Sequence, residues 1–322
     1  MIQFGGELEI GSITMNKVRA AVEVNGGHLE NVETNGGRIL PYHGGRDHDE
    51  RVEGRRVWKA ERDGSIGTAC HGLDGEGAVE VISCVLYGEA GWRHYRDVMK
   101  TLRAMGATQN RAMGSHLTMG VNHNARWARF SDARQDRMGR SMASISHYFE
   151  DAFDALSPNS RQMVSRDVMY NGYVGRVRPG NPYSGRTAVN LSKFMLYGRV
   201  EFRQPGHTMN PKNMQGWLRL CNAVISAAMN DNHRNYEADL FSFPKTLQGL
   251  LDFLNPGVQT ERWAEDRLTY LMERFTQNRD LRQAMLVRDA CQRCSGNDPE
   301  YVGDSDDLHE VCPDCGNLWE AA

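Results

Sequence analysis

Charged residues stand at alternate positions in two otherwise strand-like runs, Phe4-Gly5-Gly6-Glu7-Leu8-Glu9 and Val200-Glu201-Phe202-Arg203. Residues i and i+2 of a strand point to the same face. Glu7 and Glu9 therefore share a face of their strand, and so do Glu201 and Arg203. A sheet surface carrying paired carboxylates is costly unless a cation offsets them. A divalent metal with a phosphorylated ligand would do so. Taken singly, the pairs also suit plainer roles. Glu7 and Glu9 could be the solvated face of an edge strand, and Glu201 and Arg203 a cross-strand ion pair.

The hydrophobic period sorts the rest of the chain. Residues 2–10 read as a strand, and Lys17 to Val24 (K-V-R-A-A-V-E-V) as a second one, with turns at Gly26-Gly27 and Gly36-Gly37. Residues 36–56 are polar and Gly-rich, a long loop or weak hairpin. Trp58 to Asp63 is a short strand, and Ala78 to Leu86 a β-branched one with Glu80 in its middle. The period then changes. Trp92, Tyr95, Val98, Met99, Leu102 and Met105 recur at helical spacing, which predicts a helix over 89–105 closed by Gly106. Gly114 to Val121 reads as strand again. A helix is expected over 132–156, ended by Ser157-Pro158, with a short one at 159–170. Residues 171–186 form a long basic loop, of a length that often marks a lid or binding loop. Strands at 187–191 and 196–203 precede helices near 210–230, 241–254 and 260–286. Strands first and helices later, without regular βαβ alternation, predict an α+β domain around a mostly antiparallel sheet.

Near the C-terminus, Cys291-x-x-Cys294 and Cys312-x-x-Cys315 are separated by 17 residues. Each CxxC lets two thiolates grip one ion from a tight turn, and two such knuckles complete a tetrahedral zinc site. The acidic segment between them has little core of its own and would fold on metal. Unpaired thiols or a disulfide are the alternatives. The chain thus divides into a main domain over 1–287 and a zinc-ribbon-like module over 288–322. Four thiolates leave no open position, so the zinc is structural. Cys70, Cys84 and Cys221 read as reduced thiols. A net charge of −3 over 322 residues gives no general attraction to nucleic acid or anionic membrane. No apolar run approaches the ~20 residues of a membrane helix, and no secretory signal is visible. The expected location is cytoplasmic.

Glu80 sits alone among apolar neighbours, and suits an outward-facing position as well as a ligand. His116, in Gly114-Ser115-His116-Leu117-Thr118-Met119-Gly120, suits a hydrogen-bonded core residue as well as a ligand. Asp63-Gly64-Ser65 is a turn, and Arg176, Arg178 and Arg186 lie in the basic loop. No Walker loop, strand-linked GxGxxG or nucleophile elbow is present.

In order, Gly6-Glu7-Leu8-Glu9, Asp63-Gly64-Ser65, Glu80-Val81-Ile82-Ser83, Gly114-Ser115-His116-Leu117, Arg186 with Asn190, and Val200-Glu201-Phe202-Arg203 resemble the amidoligase family over residues 2–230. That family groups with glutamine synthetase and glutamate–cysteine ligase among carboxylate–amine ligases. The resemblance implies a curved, mostly antiparallel sheet of glutamine synthetase type with flanking helices, whose concave face carries acidic metal ligands, and it implies ATP with magnesium ions. By the same resemblance Glu7, Glu9, Glu80, His116 and Glu201 are magnesium ligands, and Arg203 and Arg186 contact phosphate. Asp63 and Ser65 shape the substrate side, with Asn190 beside the nucleotide. The family usually has a second His two residues after the first, where this chain has Thr118. The zinc knuckle is not a usual part of the family core.

The chemistry agrees with the alternating carboxylates. A carboxylate is a poor acceptor for an amine because oxide is a poor leaving group. Transfer of the γ-phosphoryl of ATP makes an acyl phosphate, which an amine can attack. Magnesium held by carboxylates, with an arginine, offsets the charge on the transferring group. A base must also take the amine proton, and Asp63 is a candidate. The expectation is an ATP- and magnesium-dependent ligase forming an amide or peptide bond. Its expected partners are small-molecule or peptide amines and carboxylates, or a protein or modified-nucleotide substrate presented to the zinc module. Phosphoryl transfer to a guanidinium group and a non-catalytic, zinc-dependent scaffold are the competing readings.

Overall fold

A computed structural model describes residues 3–31, 51–52, 54–62, 79–109, 113–121, 127–158, 177–183, 187–206, 208–229, 240–274, 300–302, 309–311 and 318–320. Nine strands form the main sheet: β1 (Gln3–Ile10), β2 (Gly27–Asn31), β3 (Arg51–Val52), β4 (Arg55–Arg62), β5 (Val79–Ile82), β6 (Leu86–Tyr87), β7 (Ser115–Gly120), β8 (Val189–Asn190) and β9 (Arg199–Phe202). Their order is β2-β4-β5-β1-β7-β9-β8, with β3 paired to β4 and β6 to β1. Every pairing is antiparallel except β2 with β4, so the sheet is mostly antiparallel, as expected.

The second strand expected from sequence, at 17–24, is instead helix α1 (Met15–Val24). The run K-V-R-A-A-V-E-V fits either period. Its start decides the outcome. Thr14 caps the helix by accepting the Lys17 N–H, and Val18, Ala21 and Val22 are buried at helical spacing. Asn25 closes it by donating to the Ala21 carbonyl, and Gly26 (φ 78°) turns the chain into β2.

Helix α2 (Gly88–Ala104) follows the predicted period, with Trp92, Tyr95, Val98, Met99 and Leu102 buried. It lies against the even-numbered face of β1. Phe4 meets Tyr95 edge-on at 5.9 Å, and Trp58 of β4 stacks on Tyr95 at 5.7 Å. The odd-numbered residues, Gln3 to Glu9, lie on the opposite face of the strand.

Three other expectations are corrected locally. The strand over 78–86 breaks after Ile82 because Ser83 exchanges hydrogen bonds with Gly6 of β1, its Oγ accepting the Gly6 N–H. The chain re-enters the sheet as β6, beside Phe4. The single helix over 132–156 is two, α3 (Asp132–Tyr148) and α4 (Glu150–Leu156). They are separated at Phe149, whose ring packs on Tyr148 and Phe253. The strand over 196–203 starts only at Arg199. A short helix α5 (Phe194–Tyr197) precedes it and ends at Gly198 in the left-handed region. Helices α7 (Leu247–Leu254) and α8 (Val258–Arg274) each pack on α6 (Pro211–Met229), which also lies against α2 and α3.

Three short strands, β10 (Glu300–Val302), β11 (His309–Val311) and β12 (Leu318–Glu320), form an antiparallel sheet within the predicted C-terminal module. Among the described residues, no helix is long and apolar enough to cross a membrane.

Candidate active site

Directly opposed residues of an antiparallel pair point to the same face. Glu7 of β1 lies opposite Ile82 of β5 and His116 of β7, and Glu9 lies opposite Glu80. The next row runs Gly5, Thr118, Glu201, Asn190 across β1, β7, β9 and β8. Register alone therefore gathers residues separated by up to two hundred positions on one face.

The ligand atoms of Glu7, Glu80 and His116 all lie within 4.8 Å of one another. His116 is 3% exposed, and its Nδ1 is 3.1 Å from Glu7 Oε2 and 3.4 Å from Glu201 Oε1. Its Nε2 is buried and has no partner among the described residues. Burial raises the Glu7 pKa, but hydrogen bonds from His116 and Glu80, with the charges of His116 and Arg203, outweigh it. The Glu7 carboxyl is held below its ordinary value. A hydrogen bond between Glu7 and Glu80 requires one carboxyl to carry a proton, so the pair shares a site that a metal cation could take instead. Two carboxylates and an imidazole suit a divalent metal.

Glu201 is fixed through both oxygens. Arg203 Nη1 donates to Oε1 at 2.6 Å and Asn190 Nδ2 to Oε2 at 2.7 Å. Glu9 is buried, and its carboxylate accepts the Gly114 N–H. Gln109 Nε2 holds the Glu9 carbonyl at 2.9 Å and the Ser115 Oγ at 3.2 Å. Glu9 thus ties β1 to the start of β7, outside the three-residue group. Under the site, Gly6 rests on the ring of Tyr95. Burial pushes the Tyr95 hydroxyl up, and the Glu7 charge adds to it.

Residues 1–225 match the family described as "Putative amidoligase enzyme". The chain belongs to the amidoligase family. No curated protein and no solved structure matched it. Membership of the amidoligase family gives a ligase-type enzyme class. Within this amidoligase chain, Glu7, Glu80, His116, Glu201 and Asn190 of those motifs meet on one sheet face.

Of the other residues expected at the site, Asp63, Ser65 and Arg186 lie outside the described residues, as do Cys291, Cys294, Cys312, Cys315 and Cys70. Cys84 and Cys221 are buried and form no disulfide. Sequence reasoning misses Arg199. It lines a shallow depression with Gln3, Gly5, Thr118 and Gly120, next to Glu7. Strand alternation carried the clue, since Arg199, Glu201 and Arg203 are spaced by two. Arg203 is paired with Glu201, whereas Arg199 has no ion pair among the described residues.

Proposed function

We propose that this amidoligase-family chain joins a carboxylate to an amine at the expense of ATP, with magnesium held by Glu7, Glu80 and His116. The convergence of those three side chains on one sheet face carries the reading. Bound magnesium would supply positive charge against the transferring phosphoryl group. The protein's residues do the rest. Glu201, clamped by Arg203 and Asn190, fixes His116 Nδ1 toward the site. Arg203 and Arg199 present guanidiniums to phosphate oxygens. Glu9 completes the acidic face and is a further candidate ligand on the family pattern. Arg186 as a further phosphate contact, and Asp63 with Ser65 at the acceptor side, are assigned by family pattern. A curved sheet of glutamine synthetase type suits this arrangement. The acid and amine are a small molecule or peptide.

Zinc held by Cys291, Cys294, Cys312 and Cys315 is proposed as a structural clamp on the C-terminal module. Cys312→Ser should lose one zinc equivalent by elemental analysis, and unchanged zinc content would refute the site.

The function is tested by incubating the protein with Mg·ATP and by comparing cells expressing wild type with cells expressing Glu201→Gln. Expected are magnesium-dependent ATP binding, lost in Glu7→Gln, and a condensation product lighter by one water, absent with Glu201→Gln. A phosphorylated guanidino product would replace this reading with kinase chemistry. Absence of magnesium-dependent ATP binding would end it.

A further inference from the structure

A second cavity of about 700 Å³ lies where α6 begins, between α8 and the segment joining α2 to β7. Its size is within the range of small-molecule sites. Among its described lining residues, Arg103, Lys212 and Arg267 are cations and Asp266 is the one carboxylate. Asp266 pairs with Lys212 at 2.9 Å. Arg103, at the exposed rim, has no ion pair among the described residues. The first turn of α6 lies in the wall at Asn210, Lys212 and Asn213, and its positive end adds to the field. Asn210 already caps the Lys212 N–H, so the helix end supports the charge without forming a site by itself. The buried Trp263 and the half-exposed Tyr270 give the cavity an aromatic side, while Asn213, Thr108 and Thr208 offer amide and hydroxyl groups. Excess positive charge with amides, hydroxyls and a ring surface suits a phosphate carried on a polyhydroxylated scaffold.

We propose that this cavity is a second ligand site, separate from the acidic face, that takes a phosphate monoester of a pentose, either free or as a nucleoside monophosphate. Apart from Gln109 and Thr208, which brace the strands of the acidic face, its lining residues are ones the ligase reading does not use. The lining also touches the strand that carries His116 from the other side. Ser115, the neighbour of His116, receives a hydrogen bond from Gln109 and donates to the Thr208 carbonyl at 3.4 Å.

The test is calorimetric titration of the full chain in EDTA, without divalent metal, with AMP, ribose 5-phosphate and adenosine as probes. Saturable binding of AMP or ribose 5-phosphate is expected, and the two probes separate a nucleotide from a sugar phosphate. Adenosine should bind at least about tenfold more weakly than AMP. Arg103→Ala combined with Lys212→Ala, both on exposed side chains, should weaken phosphate binding by at least about tenfold. Glu7→Gln should leave it unchanged, even if that variant loses magnesium-dependent ATP binding. The proposal is overturned if neither phosphate probe binds, if adenosine binds as well as AMP, or if the double variant binds like wild type. Loss of binding in Glu7→Gln would also overturn it, by placing the ligand at the acidic face.

Discussion

The ring of Tyr95 fills the space that a side chain on Gly6 would need. The neighbouring Glu7 owes its position to that contact, because β1 can sit this close to α2 only at a glycine. Gly6→Ala should cost about 1–3 kcal/mol in urea unfolding and weaken metal binding at Glu7. Tyr95→Phe tests the hydroxyl itself. That oxygen is buried and has no partner among the described residues, so its loss should cost under about 1 kcal/mol. A larger loss would reveal a bonded hydroxyl.

Glu7 and Glu9 stand two residues apart and should behave differently. Glu9 satisfies the Gly114 N–H, so Glu9→Ala should lower stability by about 1–3 kcal/mol. Glu7→Gln keeps the side chain's shape but gives up the charge that His116 and Arg203 favour, so it should lower stability modestly. It should also abolish binding of Mg2+ or Mn2+ in calorimetric titration. If Glu7→Gln unfolds the chain while Glu9→Ala removes only the metal, the two roles are reversed.

Arg203 and Arg199 separate anchoring from recognition. Arg203→Ala strips Glu201 of a partner at 2.6 Å and should reduce both stability and Mg·ATP affinity. Arg199→Ala should shift stability by no more than about 0.5 kcal/mol and weaken Mg·ATP by about tenfold. Equal nucleotide affinity in Arg199→Ala and wild type would remove Arg199 from the proposed site.

His94 gives the fold a definite response to acid. Burial, with the charge of Arg56, lowers its pKa from 6.5 to about 4. Its Nε2 accepts from Trp58 Nε1 at 2.9 Å, which needs the neutral ring. Between those values the unfolded chain binds a proton that the folded chain does not. Stability therefore falls as pH drops through that window, by up to about 1.4 kcal/mol per pH unit. His94→Gln keeps an acceptor for Trp58 and should flatten this slope in unfolding curves recorded at pH 7, 6 and 5. Parallel slopes in both proteins would assign the acid sensitivity to other groups.

The elements with an unmixed period were legible in the sequence: β1, α2, β7 and α6 fall where the apolar spacing puts them. α1 was not, because Val18, Ala21, Val22 and Val24 satisfy strand composition and helix spacing together, and the deciding group, Thr14, stands outside the run. Glu7, Glu80 and His116 could be named as candidates one by one. Their meeting could not be read, because it depends on Glu7 facing His116 across a strand pair more than a hundred residues apart in sequence. Tyr95 looked like ordinary helix core, and nothing local in the chain reveals that it backs Gly6. Arg199 was visible by alternation, yet an arginine at a strand edge has no mark that separates recognition from solvation.

Ser115 and His116 are consecutive, yet one is gripped by Gln109 and Thr208 and the other faces Glu7. This bears on how such a site could be transplanted. Copying the acidic residues onto another sheet would carry the ligands without the clamps that hold their strand in register. The smallest portable unit is β1, β5 and β7 together with Gln109 and the Thr208 backbone. Shuffling of shorter pieces between proteins should yield a correctly spelled motif on a strand free to slip.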